Sequence, residues 1–444
     1  MAAPVTSQVF DAIVVGAGVS GFSAALALKE KNKRVAIIAK SLGASSVSSG
    51  AWDFGTIPRG ISSLEEATCS DAWITLYHKV LAEDPKLLNA REFIASAESI
   101  KSAIAPELDL QFSFRQCLTL PTSAGSWKRC FGAQALQAKA DLNQLIGKKI
   151  AFVTCDRWRF RADLILKKWL SHLESTGLAL DITLVSLDLP IKGTDWPLPH
   201  MASRLQAEET FRLQFLDSLQ KTVGGASYDV LLFPPVFLEN SFVKTIQNQT
   251  NAEVAECLAT VEPIAGYRLL QATRKALSRL EIPLLTVSEL RPQIEKGSVK
   301  AFQVVASHAG STKTSSEPSS SHLVRGNQFV LASGKLFGGG IALGYQAVKE
   351  TVFDLPLFHC RTEGPIAYRS ELPWDSHPFH EEQPWARLGV WADTKWRPRD
   401  SAKGTALENV VVCGSALGGV DYAKEGLGLG FMASTGRQCA NVLH

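Results

Sequence analysis

The sequence predicts an α/β protein: a doubly wound, mostly parallel sheet built from both chain ends, with a second α/β region inserted between them. Three observations predict it. The apolar, β-branched run VFDAIVV (9–15) leads through a glycine turn and a helical stretch to a second apolar run, RVAIIAK (34–40), which together make a βαβ unit. A second strand–helix alternation starts near residue 148. Apolar strands then return after residue 328 in a glycine-rich C-terminal part.

The 444 residues suffice for two or three domains. With 45% hydrophobic and 20% charged residues, composition excludes a wholly disordered chain, a collagen-like fold and a coiled coil. Lys+Arg number 46 against 43 Asp+Glu, a net charge of +3. That balance excludes nucleic-acid binding driven by bulk charge. The eight cysteines (69, 117, 130, 155, 257, 360, 413, 439) show no CxxC and no cluster with zinc or iron–sulfur spacing. They read as reduced thiols of a cytosolic protein. His377 and His380 form an HxxH without a supporting cysteine, so no metal is expected. The longest uncharged stretch, Ala12 to Leu28, has seventeen residues, short of the roughly 20 that a membrane helix needs.

The elements follow in order. FSAALALKEK (22–31) is the helix of the first βαβ unit. Ser41 to Gly55 is a Gly/Ser-rich loop. Residues 60–105 read as mostly helical, and 110–132 as strand and loop. From 148 the strands KKIAFVTC, LDITLVSL and YDVLLFPPVF alternate with the helices RADLILKKWLSHLES and RLQAEETFRLQFLDSLQKTV. The basic-aromatic string Arg157-Trp158-Arg159-Phe160-Arg161 at the first strand–helix junction reads as a solvated helix start. Residues 307–322 are Ser-rich and read as a mobile loop between two strands.

The chemistry starts at Gly16-x-Gly18-x-x-Gly21. A lone GxGxxG is a weak signal, but this one follows an apolar strand and opens a helix. Gly16 serves the tight turn, Gly18 the approach of backbone to a pyrophosphate, and Gly21 the close packing of helix on strand. The helix N-terminus favours the phosphate charge. The second strand ends in Lys40, where an Asp or Glu usually binds the adenosine ribose. That exchange leaves FAD with an altered ribose contact or a shorter flavin such as FMN as alternatives. Two C-terminal segments favour flavin over nicotinamide. FVLASG (329–334), with Gly334, is similar to the strand-then-turn of two-dinucleotide flavoproteins. ENVVVCGS (408–415) is similar to their late strand, with Gly414 and with Ser415 in place of the usual ribityl-binding Asp. Gly426 and Gly428 then open the last helix, whose N-terminal dipole suits negative charge on a reduced flavin. The loop Ser45-Ser46-Val47-Ser48-Ser49-Gly50 completes the expected cofactor set with Ser45, Ser46, Ser48, Ser49 and Gly50. The expected class is therefore α/β, a Rossmann-type FAD/NAD(P)-binding flavoprotein fold. Residues 1–147 and 325–444 are expected to form the flavin domain, and 148–324 an inserted α/β cap domain.

GAGVSG, SSVSSGAWDF, KKIAFVT, GYRLLQ (266–271), VLASGKLFGGG (330–340), LGVWADTKWRP (388–398) and ENVVVCGSALGGVD (408–421) occur in one order. In this the chain resembles the B subunit of anaerobic glycerol-3-phosphate dehydrogenase, from about residue 9 to the C-terminus. The resemblance implies a non-covalent flavin, FAD or FMN. It implies work in the cytoplasm beside two partners of one complex: an A-type catalytic protein carrying FAD and a C-type iron–sulfur protein. The inner face of the cell membrane is reached only through those partners. The resemblance also implies oxidation of sn-glycerol 3-phosphate with electrons passed to quinone. Arg268 and Arg397 lie in the matching blocks, and their guanidinium forks suit a phosphate, although a structural ion pair is the plainer reading of each. His359, His377 and His380 precede the last flavin block without a clear role. Two rival readings stay open at this point: a stand-alone flavin oxidoreductase for another small organic acid or polyol phosphate, and a non-catalytic scaffold that lost its cofactor.

Overall fold

The computed structural model describes residues 9–80, 88–191, 193, 196–260, 263–307, 321–359, 364–368, 383–400 and 404–443. Along the chain come β1 (Val9–Val15), α1 (Val19–Glu30), β2 (Val35–Ala39) and α2 (Ala90–Ile104). Next come β3 (Lys149–Thr154), α3 (Ala162–Glu174), β4 (Asp181–Ser186), α4 (Leu198–Ala207), α5 (Glu209–Val223), β5 (Val230–Phe233), α6 (Asn240–Thr250), β6 (Glu253–Glu256) and α7 (Ile264–Arg279). The chain closes with β7 (Leu284–Glu295), β8 (Ser298–Ala306), β9 (Ser321–Leu331), β10 (Val410–Val412) and α8 (Leu429–Asn441). Other helices, among them Asp71–Val80, with hairpins and turns, join these elements.

The chain divides into two compact units. The first is Met1–Ser45, Asp53–Glu107 and Thr273–His444; the second is Ser46–Trp52 and Leu108–Ala272. In the first, β1 pairs in parallel with both β2 and β9, β2 with the start of β7, and the end of β9 with β10. Their residues explain the placement. Ile13, Val14, Ile37, Ile38, Val330 and Leu331 are fully buried, as befits strands covered on both faces. The outer part of β7 and the first part of β9 each pair antiparallel with β8, making a three-stranded meander that extends the sheet. Helix α1 is buried at ten consecutive positions, Val19 to Leu28. It packs against α8, where the Ser23 hydroxyl donates to the Ala433 carbonyl at 2.7 Å.

The second unit holds a parallel sheet in the order β6-β5-β3-β4. One core contains Trp158, Met201, Phe211, Phe215 and Phe233; the other contains Phe152, Trp169 and Cys257.

Three sequence expectations change. The inserted region was expected over 148–324, but β7 and β8 belong to the first sheet, and the second unit begins at Leu108 and takes in Ser46–Trp52. Long-range strand pairing decides this, and no local pattern reports it. The single helix expected through RLQAEETFRLQFLDSLQKTV is two helices broken at Glu208, which holds extended backbone angles (φ −110°, ψ 105°). The break lets Leu205 and Phe211 both reach one core. The Arg157–Arg161 string is partly interior: Trp158 is only 4% exposed, and its backbone pairs with Trp196. Most of the Ser-rich 307–322 segment, with His377 and His380, lies outside the described residues.

Candidate cofactor site

In the first unit the glycine-rich turns gather at the ends of β1, β9 and β10. Gly16 sits at φ +119°, and a Cβ there would lie 2.2 Å from the Ala332 carbonyl oxygen just past β9. Only glycine meets both conditions. A Cβ on Gly21 would lie 2.0 Å from the Gly16 carbonyl oxygen, so the helix seats directly on the turn. Gly18, the N-cap of α1, is different. It has no side-chain cap, and the nearest neighbour to its missing Cβ is the Ser45 Oγ at 3.4 Å. Ser45 reaches the helix start and accepts a hydrogen bond from the Val19 amide at 3.1 Å. An open glycine at a lightly capped helix N-terminus is a seat for an anion.

The C-terminal segments close on this turn. A Cβ on Gly414 would meet the Ser20 Oγ at 2.1 Å, and one on Gly334 the Ser415 Oγ at 3.4 Å. β10 therefore ends against the first turn of α1, with Ser415 opposite the turn after β9. The Ser333 Oγ, which lies against Gly340, is buried without a hydrogen-bond partner. Lys40 is exposed at the end of β2, and the following Ser41 hydroxyl donates to the Gly338 carbonyl at 3.4 Å. Gly426 and Gly428 precede α8. The Gly428 position lies against the Asp53 carboxylate, 2.9 Å from where a Cβ would stand, and the Asp53 carbonyl accepts from the Phe431 amide at 2.9 Å.

Sequence reasoning passed over three groups here. Asp53, inside the quoted SGAWDFG loop, lies at the start of α8. Ser333 carries the orphaned hydroxyl. Lys335, inside the SGKLFGGG block, has its ammonium turned inward, where it donates to the carbonyls of Ala386 at 2.6 Å and Val420 at 3.1 Å. Burial pulls its pKa down to about 7, against the opposing pull of Asp421. Each has a local signal, a charged or polar residue inside a glycine turn, but burial gives that signal its meaning.

The remaining expected residues belong to the second unit. There the Gln137 amide donates to the Ser49 carbonyl at 2.9 Å, and its Oε1 covers the face of Gly50. Gly266 packs on the backbone of Ser46 and Ser48, and the Ser48 Oγ is buried without a partner. Gln137, fully buried, is the residue that holds this serine loop.

The two candidate arginines are engaged in ion pairs. Arg268, 7% exposed, meets Glu256 at 2.7 Å and the Phe237 carbonyl at 2.8 Å. Glu256 in turn accepts from the Val236 and Phe237 amides. Arg397 grips Asp393 through Nε and Nη2 at 2.9 and 2.8 Å. These contacts use Nη1 and Nη2 of Arg268, whose Nε is buried without a hydrogen-bond partner, and Nε and Nη2 of Arg397. His359 is half-buried, with no role assigned by its position. Among the described residues, no group of three His, Cys, Asp or Glu side chains is arranged to hold a metal, and no helix is long and apolar enough to cross a membrane.

The turn geometry fits a dinucleotide: a glycine cradle, a helix N-terminus open at Gly18, and the unpartnered Ser333 hydroxyl. Residues 11–163 match the family model of the FAD dependent oxidoreductases (DAO), and flavin is the supported cofactor. The chain is 23% identical over 441 residues to the anaerobic glycerol-3-phosphate dehydrogenase B subunit of Actinobacillus pleuropneumoniae, covering 96% of this chain and 97% of that protein. It is 23% identical over 459 residues to the Haemophilus influenzae protein of that name, covering 98% and 99%. Among solved structures it is similar to 3-ketosteroid delta1-dehydrogenase from Sterolibacterium denitrificans, with 11% identity, coverage of 98% and 99%, and a TM-score of 0.42. A Rossmann-type α/β fold, the match of residues 11–163 to the FAD dependent oxidoreductases and a full-length likeness thus make this chain similar to the B-subunit family of anaerobic glycerol-3-phosphate dehydrogenase.

Proposed function

We propose that the chain is the flavin-carrying subunit of a dehydrogenase that oxidises sn-glycerol 3-phosphate and delivers electrons, through an iron–sulfur partner, to quinone. The observation that carries the flavin part is the meeting of Gly16–Gly21, Ser333–Gly334 and Gly414–Ser415 at the C-terminal ends of β1, β9 and β10. The substrate and the complex are supported by the names of the full-length relatives. A bound flavin supplies two-electron acceptance from an organic substrate and release of those electrons singly.

The protein's part is binding and electrostatics. The α1 N-terminus and the Gly18 backbone hold the pyrophosphate. Ser333 and Ser415 offer hydroxyls to the sugar or ribityl chain, where a carboxylate is usual. The amide end of α8 stabilises negative charge in front of Gly428. Arg268 and Arg397 keep loops in place and leave substrate handling to other groups.

The test is the visible spectrum of the purified protein, chromatography of the acid-released cofactor, and anaerobic addition of glycerol 3-phosphate. A yellow protein releasing FAD or FMN is expected. Bleaching without any partner places substrate oxidation on this chain; a flavin that stays oxidised makes it an electron relay. A colourless protein that no flavin reconstitutes overturns the reading in favour of a scaffold.

A further inference from the structure

We propose that Lys335 is a positioning residue of the flavin site whose positive charge, held behind the Gly414–Ser415 turn, makes the site favour reduced over oxidised flavin. The inference rests on the flavin part of the function proposed above. Lys335 directly follows Gly334, the glycine that faces Ser415. Its side chain is half-buried and ties three segments together. The ammonium donates to Ala386 and to Val420 and lies 4.6 Å from the centre of the Tyr422 ring. The Tyr422 hydroxyl donates onward to the carbonyls of Gly414 at 3.1 Å and Leu417 at 2.8 Å. A chain of contacts therefore runs from the lysine through the tyrosine ring to the backbone that carries Ser415.

The charge is the unusual part. A buried ammonium normally takes a carboxylate partner, because carbonyl dipoles and a ring face offset only part of its desolvation. Among the described residues none forms an ion pair with Lys335; Asp421 acts on it from a greater distance. The other charged or titratable groups on the packed segments are Arg387, beside Ala386; Lys424 and Glu425, the latter paired with Lys79 at 3.0 Å; Cys413; and Tyr422, whose hydroxyl burial keeps protonated. The two positions where this type of site usually carries a carboxylate are Lys40 and Ser415. An inward cation that lacks a carboxylate partner, beside a turn that has Lys40 and Ser415 in those two positions while Asp53 lies at the start of α8, is suited to an anionic ligand state.

Titration separates the two roles of this side chain. A neutral amine still has two N–H groups, enough for both carbonyls. Loss of the proton thus removes the charge and keeps the clamp. With a pKa near 7, that change falls within an accessible range.

The experiment is a spectroelectrochemical titration of the flavin-loaded full-length protein between pH 6 and pH 9. It compares wild type with Lys335→Met and Lys335→Gln; the glutamine keeps two N–H donors without the charge. At low pH the wild type should prefer reduced flavin over oxidised by on the order of tenfold more than either variant, the scale of one unit charge acting across a protein interior. The gap should close toward pH 9, and Lys335→Gln should retain most of the wild-type flavin affinity. Potentials that coincide at every pH, or a gap that does not change with pH, overturn the inference while leaving the flavin reading intact. A wild type that takes up no flavin overturns the function proposed above, and this inference with it.

Discussion

Gly16 and Arg268 show how differently two residues of the quoted motifs are used. At Gly16 the backbone needs φ +119° and leaves no room for a Cβ beside Ala332. Gly16→Ala is expected to cost at least about 1–2 kcal/mol from the backbone conformation alone, and to abolish flavin retention at ambient concentration. Equilibrium urea unfolding and flavin fluorescence quenching measure the two effects. Arg268 is spent on a buried carboxylate. Arg268→Met leaves Glu256, 0% exposed, without its cation and should cost about 3–5 kcal/mol. Adding Glu256→Gln should recover a large share, because the glutamine oxygen can still accept from the Val236 and Phe237 amides. Unchanged stability with a selective rise in substrate KM would instead make Arg268 a substrate ligand.

At the scale of elements, α1 and α8 decide how the first unit is built. The α1 sequence VSGFSAALALKE has no polar stripe, because the helix is covered all round at Val19–Leu28. Its small residues let α8 approach closely. A Cβ on Gly436 would lie 2.1 Å from the Ser20 carbonyl oxygen. Gly436→Val should therefore overpack this contact and cost about 1–3 kcal/mol. It should also loosen the Gly414 turn, which Thr435 holds by accepting from the Gly414 amide at 3.0 Å. A lower urea midpoint together with weaker flavin binding is the expected pair of results; wild-type values for both would show that the helices sit farther apart.

For the whole molecule, two compact units mean that unfolding need not be a single transition. Flavin seated on the β1–α1 turn stabilises the unit that contains it. At a free concentration about 100 times Kd, the gain is roughly 2.7 kcal/mol. Hydrogen exchange followed by mass spectrometry should show added protection in β1, β2, β9 and β10 on flavin addition, with β3 to β6 unchanged. Equal gains in both sheets would contradict the assignment of the cradle to the first unit.

By itself the sequence determined the βαβ unit, the GxGxxG turn, the late strands of the first sheet and the flavin chemistry they suggest. All of these are local: a β-branched run, a glycine spacing, a helix after a turn. Only the tertiary structure decided that β7 and β8 join the first sheet, that Ser46–Trp52 joins the second unit, and that Arg268 and Arg397 pair with Glu256 and Asp393. It also decided that Lys335 is an inward cation and Gln137 a loop clamp. The physical reason is the same in each case. Strand partners, burial and ion pairing depend on residues far apart in the chain, such as Lys335 with Val420 and Arg268 with Phe237, and a one-dimensional pattern carries no record of which of them meet.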